Sequence, residues 1–380
     1  MRGGGPKLSI VRRPAPVALI ALALAAAAAW SAPFSAPRSA RRRATFRPVP
    51  PTAAAVDSLI RPGERHFAHL WQLTFGGQNA EAYWSGDGTK LVWQSTGQGW
   101  PCDQEYVMDL RTGARTRVST GKGRTTCGYF YDHDRRVLFS STHLVSDSCP
   151  PTPDMSQGYV WPIYPSYEIF TARPDGSDLR RLTDHDGYDA EGTVSVDGRW
   201  LVFTSKREDD VDLYKMRLDG SGLQRLTHAV GYDGGAYFSH DGKHIVWRTY
   251  RTDDSSANAT FARLLEQDLV KPTKMDLWVM DADGSHPRRV TDEPGASFAP
   301  YFTPDDKAII YSSNYENPHG RNFDLYLVPV EGGEPTPVTR DPLFDAFPMF
   351  SPDGRWLLFC ANRGGSVPGE TNVFLAEWRP

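Results

Sequence analysis

The chain has 380 residues, 12% of them aromatic, with 34 Gly, 30 Pro and a formal net charge of −4. That length allows one large or two ordinary domains, and the composition suits short strands and tight turns better than helical bundles. The charge is split: nine of the 42 Lys and Arg lie in residues 1–50, where there is no acid, which leaves 33 bases against 46 acids and argues against nucleic acid as the main partner.

In chain order, the first element reads as an export signal, residues 1–31. Arg12 and Arg13 precede the 13-residue apolar run "VALIALALAAAAA" (17–29), too short for a comfortable membrane span and right for a signal core. Ala29-Trp30-Ser31 puts small residues at positions −3 and −1 of a cleavage site. An uncleaved anchor is the other reading of the same run. Membrane contact is expected only through this signal, and the location periplasmic or secreted. Residues 32–65, mostly Ala, Pro and Arg, read as a disordered linker.

Residues 66–380 carry a repeat. Its copies are "YWSGDGTKLVW" (83–93), "YFYDHDRRVLF" (129–139), "TVSVDGRWLVF" (193–203), "YFSHDGKHIVW" (237–247), "YFTPDDKAIIY" (301–311) and "MFSPDGRWLLF" (349–359), spaced by 46, 64, 44, 64 and 48 residues. Each is two apolar strands around a tight turn. A second hairpin follows, as in "DLYKMRLDGSGLQRLT" (212–227), "DLWVMDADGSHPRRVT" (276–291) and "EIFTARPDGSDLRRLT" (168–183), with period-2 alternation and Asp-Gly turns. Each unit is therefore four strands, a to d. One such sheet cannot bury both faces alone, and radial packing of several does so. The last unit ends on a third strand, "TNVFLAEW" (371–378), while the orphan "HLWQLTFGG" (69–77) precedes the first. The expected fold is all-β: a six-bladed β-propeller with four-stranded antiparallel blades, closed by an N-terminal strand, over residues 66–380.

The motifs "FSPDGRWLLFCANR", "VMDADGS" and "RLT" resemble the WD40-like repeat of the TolB-type propeller family. The resemblance covers roughly 310 residues and implies an exported binding module of the cell envelope; it specifies fold more than function. The α/β domain that precedes the propeller in TolB has no counterpart in the short stretch before the first strand, which puts a Tol role in doubt. Related propellers occur in prolyl-oligopeptidase-type peptidases, but the chain has no G-x-S-x-G elbow and no H-E-x-x-H. Oligogalacturonate lyases use a related propeller with a metal at the channel mouth. They supply the enzymatic alternative, a polysaccharide-acting enzyme, against the favoured reading of a non-enzymatic module.

Turns a–b and c–d share one face of a propeller, and connections b–c and d–a the other. The length variation is all in b–c loops, at 141–167, 249–275 and 314–323, and long loops on one side of a rigid scaffold carry function. The 249–275 insert holds a short helix, with Phe261, Leu264, Leu265 and Leu269 on one face and Ser255, Ser256 or Asn258 as cap, expected to act as a lid. Tyr159, Trp161, Tyr164 and Tyr167 of the 141–167 insert, with Trp100, are expected to form an apolar ledge for a peptide or a sugar, plain packing of the long loop being the other reading. Aligned units put Asn79, Asp189, Asp233 and Asp345 at one position before strand a, and Glu81 and Glu191 two residues on. These acids should ring the channel mouth, with His185 and His228 in d–a loops and His143 in a b–c loop beside them. Such a constellation could bind a divalent metal, but it has no tight ligand spacing, so no metal or cofactor is expected. The partner expected there is an envelope protein or peptide, basic in character, and the chain is read as a monomer. A further acidic series, Glu105, Glu168, Asp212, Asp276 and Asp324, with Asn372, opens strand c of successive blades and is read as structural.

Of the four cysteines, Cys360 lies in an apolar strand and reads as a buried thiol. Cys102, Cys127 and Cys149 map to the loop face of the first two blades, and an exported chain permits a disulfide among them. Cys102 with Cys149 is preferred, both being in b–c loops of adjacent blades; Cys127, at the start of an inner strand, is the rival partner.

Overall fold

The computed structural model describes residues 46–97, 99–156 and 158–380. The expected signal and most of the expected linker lie outside them. Six antiparallel sheets follow one another along the chain, five of four strands and one of five. They are the blades of a six-bladed propeller. Blade one is Gln78–Trp84, Lys90–Gly97, Trp100–Asp109 and Arg115–Arg117; the pattern repeats through blade five, which ends at Thr336–Pro337.

The hairpin turns explain the repeat chemically. In "SPDG" the Ser351 hydroxyl donates to Asp353 (2.7 Å) and accepts from the Trp356 amide (3.1 Å), while Gly354 takes φ +69°. Ser195 with Asp197 and Ser239 with Asp241 do the same in blades three and four. The side chains thus make the turn before the strands pair.

"RLT" has a physical role too. Its Thr hydroxyl donates to the acid that opens strand c, as Thr227 to Asp212 (3.0 Å) and Thr339 to Asp324 (3.1 Å). Its Arg pairs with the same acid, as Arg181 with Glu168 (2.6 Å), Arg225 with Asp212 (2.7 Å) and Arg289 with Asp276 (2.8 Å).

The sixth sheet takes Asp345–Phe350, Trp356–Ala361 and Asn372–Trp378 from the C-terminus and Phe67–Gln72 from the N-terminus. Phe67–Gln72 pairs antiparallel with Asn372–Trp378, and Ala54–Ala55 adds a fifth edge strand. Residues 47–65 depart from the expected linker. Val49, Ala53, Val56, Leu59 and Ile60 pack on the main core. Glu64 is buried and bonds both Arg363 and the Arg340 amide. Ala- and Pro-rich composition hid an apolar period too sparse to read as a strand.

The two long inserts meet. Trp161–Pro162 pairs with Leu269–Val270 in a two-stranded ribbon, and helix α1 (Ser255–Leu265) buries Phe261 and Leu265 against Tyr188 and Tyr232. Lys206 holds the helix end through the Leu265 carbonyl (2.8 Å) and Asp268 (2.7 Å). The helix cap is Asp254, which accepts from the amides of Ser256 and Ala257, rather than Ser255, Ser256 or Asn258; Leu269 lies in the ribbon, beyond the helix. The inserts form a shared roof over part of the loop face.

Candidate functional site

Every inner strand has a bulge, seen as a register shift against strand b. Its residue takes a left-handed conformation: Glu81 (φ 52°), Cys127 (58°), Glu191 (55°), Gly235 (60°), Ala299 (49°) and Phe347 (57°). All six line one axial cavity, with Tyr83, Tyr129, Tyr237 and Arg248, of about 30 Å³. That is room for one or two waters. The bulge turns the strand so that this side chain meets the axis. The residues two further on include Tyr83, Tyr129, Tyr237 and Tyr301, whose rings lie 5.6–6.2 Å apart around Tyr237 and plug the channel below.

The two bulge glutamates differ. Glu191 accepts from the Thr204 hydroxyl (2.7 Å), the Tyr232 hydroxyl (2.9 Å) and the Gly235 amide (3.0 Å), and is ion-paired with Arg248. Arg248 reaches the axis because position 235 is glycine; a Cβ there would lie 1.9 Å from its Nη1. Trp161 from the roof stacks on the same guanidinium at 5.1 Å. Glu81 bonds the Cys127 thiol and has no ion-pair partner among the described residues. Burial pushes its carboxyl up to about 7, opposed by that thiol and raised further by Glu191. Burial also holds the Cys127 thiol well above its ordinary value.

The remaining expected mouth acids are not at the mouth. Asp189, Asp233 and Asp345 are each 0% exposed. Each pairs with an arginine 18 residues on: Arg207 (2.7 Å), Arg251 (3.0 Å) and Arg363 (2.5 Å). Asn79 takes the indole N–H of Trp93 (3.0 Å) instead. These side chains brace strand a to the end of strand b. His143 bonds the Ser141 hydroxyl (2.9 Å) and packs on Phe170, and burial lowers its pKa. His185 is half-buried beside Gly187, and His228 is exposed. Trp100 stacks under Arg117 in blade one (4.4 Å), while Trp161 lies on Arg248 of blade four (5.1 Å). Among the described residues no three His, Cys, Asp or Glu are grouped to hold a metal ion.

The structure thus brings together Glu81, Glu191 and, through Arg248, Trp161. Arg248 and the tyrosines escaped the sequence reading, as did Cys127 as a channel residue. The repeat spacing, applied to the column two residues before each hairpin copy, would have found the bulge ring.

Cys102 and Cys149 form the disulfide, with Cα atoms 5.9 Å apart. Cys127 and Cys360 are buried free thiols, so the rival pairing is corrected. The turn face also departs from expectation. It holds a depression of about 640 Å³ lined by Trp84, Tyr131, Val196, His240 and Phe350. Its rim carboxylates are committed: Asp134 to the Gly86 and Asp87 amides, Asp197 to Arg199 and Asp132 to Arg135.

No family model matches the chain. Over 132 residues it is 29% identical to the Tol-Pal system protein TolB of Bordetella pertussis, which is 35% of this chain and 25% of that one. The chain thus spans about a quarter of the length of the curated relatives it matches. The crystal structure of TolB from Acinetobacter baumannii superposes with a TM-score of 0.54 at 18% identity, over 76% of this chain and 63% of that one. The chain shares its propeller fold with TolB. An oligogalacturonate lyase in complex with manganese has the same ring, with a TM-score of 0.51 at 14% identity over 87% of this chain and 97% of that one. Likeness at such identities concerns the fold, so what this TolB-like propeller does has to be argued from its own side chains.

Proposed function

We propose that this TolB-like propeller is an exported, non-enzymatic binding module that engages a basic segment of an envelope protein or peptide on its loop face, in the periplasm or outside the cell. The observation that carries this is Glu81, a carboxylate on the channel axis with no ion-pair partner in contact among the described residues. Around it, the two inserts join each other over the loop face, and the blade-two insert is tied to blade one by Cys102–Cys149. Asp186, Asp209 and Asp253 are exposed on the same face. Carboxylates around a low-dielectric mouth concentrate positive ligands and make their binding salt-dependent. Titration with Nα-acetylated hexalysine at 50 and 300 mM salt tests it. Binding that weakens with salt supports the module, and equal binding by an Asp186→Asn/Asp209→Asn/Asp253→Asn variant removes the loop face from consideration.

The second reading is a polysaccharide-acting enzyme. It is favoured by the lyase-like ring and by Glu81, Arg248 and tyrosines meeting in one cavity. Turnover of oligogalacturonate, or a stoichiometric metal in the purified protein, would select it over the module.

A further inference from the structure

Blade one breaks a rule that its neighbours keep. In blades two, three and five the acid that opens strand c takes the Thr hydroxyl of strand d. In blade one that acid is Glu105, and both of its expected partners are diverted. Ser119 stands where the Thr should be and gives its hydroxyl to Gln104 (2.7 Å). Arg117 stands where the Arg should be and lies on Trp100. Glu105 is 0% exposed, and neither carboxylate oxygen has a hydrogen-bond partner of good geometry. It lies against Gly128 in the cavity wall, where a Cβ would come within 2.4 Å of its Oε1. Burial raises the pKa of Glu105, and the negative charge of Glu81 across this wall raises it further. Among the described residues neither carboxyl has an ion-pair partner in contact, whereas Glu191, in the equivalent bulge of blade three, has Arg248, which acts on Glu81 only at longer range.

A buried carboxylate without a cation is costly, and a cation supplied from outside removes that cost. We infer that the axial cavity is a receptor for the ammonium group of a lysine side chain, held at the Glu81 carboxylate; this rests on the loop-face reading above. Size selects the group. A cavity of about 30 Å³ accepts a water-sized ammonium and excludes the planar fork of a guanidinium. Ala299 and Phe347 in the same lining are apolar and suit the alkyl carbon next to the ammonium. No group of three metal-ligating side chains is present among the described residues to favour a metal instead.

The test uses the full mature protein at 150 mM salt and three Nα-acetylated probes: hexalysine, hexaarginine and hexa-Nε-acetyllysine. Calorimetry should show hexalysine binding about tenfold more tightly than hexaarginine, a ratio typical of one well-made charged contact, and no binding of the acetylated peptide. Glu81→Gln should bring hexalysine down to the hexaarginine level, while Asp197→Asn on the turn face changes neither. Equal affinities of the two basic peptides for the wild type overturn the inference but leave the loop-face module standing. No binding by either peptide overturns both. The comparison of probes on the wild type needs no variant, so a folding defect in Glu81→Gln, read from its melting curve, cannot mask the answer.

Discussion

At the residue scale, the bulge ring shows how one backbone device yields different chemistry. Six inner strands carry the same left-handed residue, and only its identity varies. Gly235 is needed for space as well as for φ, since Arg248 fills the place of its side chain. Glu81 gives a pH prediction. Its folded pKa, about 7, is raised above the ordinary carboxylate value mainly by burial, with Glu191 adding and the Cys127 thiol and Arg248 opposing. The folded state therefore holds a proton that the unfolded chain has released between these two values. Its stabilising share is fully present below the unfolded pKa and is lost as pH rises through about 7. Melting temperature should fall between pH 5 and pH 8 in the wild type. Glu81→Gln should flatten part of that fall; an unchanged slope would mean the carboxyl is solvated. Asp210 and Asp324, also pushed up to about 7 by burial, leave a remaining slope of the same sign.

At the scale of elements, the inserts are fixed at both ends. The blade-two insert is tied to blade one by Cys102–Cys149 and to the blade-four insert by the ribbon of Trp161–Pro162 with Leu269–Val270. The disulfide closes 47 residues. On chain-entropy grounds its removal should cost about 4 kcal/mol, less any relaxation of the native loop. The double variant Cys102→Ser/Cys149→Ser tests this by urea denaturation, and non-reducing peptide mapping of the wild type should find Cys127 and Cys360 unmodified. The roof gives a separate prediction. Val270→Asp puts a charge at a fully buried ribbon position. It should expose residues 141–167 and 249–275 to limited proteolysis while blades one, five and six keep their protection. Resistance of both inserts would show that helix α1 and Lys206 hold the roof without the ribbon.

At the scale of the molecule, the ring is held by contacts between its two chain ends. Phe67–Gln72 completes blade six, and Arg363, 0% exposed, ties Asp345 of that blade to Glu64 before the closing strand. Arg363→Ala leaves two buried carboxylates unpaired, which should cost about 3–5 kcal/mol. Deleting residues 46–77 should cost at least as much, because the edge of Asn372–Trp378 is bared and the buried side chains of Phe67, Leu70 and Trp71 are lost from the core. If the truncated protein melts with the full mature form, the N-terminal strand contributes nothing to the ring.

The repeat determined the fold from sequence alone, because hairpin turns and period-2 strands are local: Ser351, Asp353 and Gly354 make their turn with atoms five residues apart at most. The acids opening strand c of blades two, three and five were legible as structural for the same reason, since recurrence implied one role, which Glu105 of blade one does not keep. The disulfide was legible as a preference, because loop length and blade adjacency left few partners. Tertiary structure alone decided which acids face the axis. The column of Asn79, Asp189, Asp233 and Asp345 and the bulge column that holds Glu81 and Glu191 sit two residues apart, and in an even strand they would share a face. The bulge between them breaks that parity, sending the first set into ion pairs with arginines 18 residues on and Glu81 and Glu191 to the channel. The union of the two inserts was likewise hidden, because Trp161 and Val270 lie more than a hundred residues apart and neither short strand has a pattern of its own.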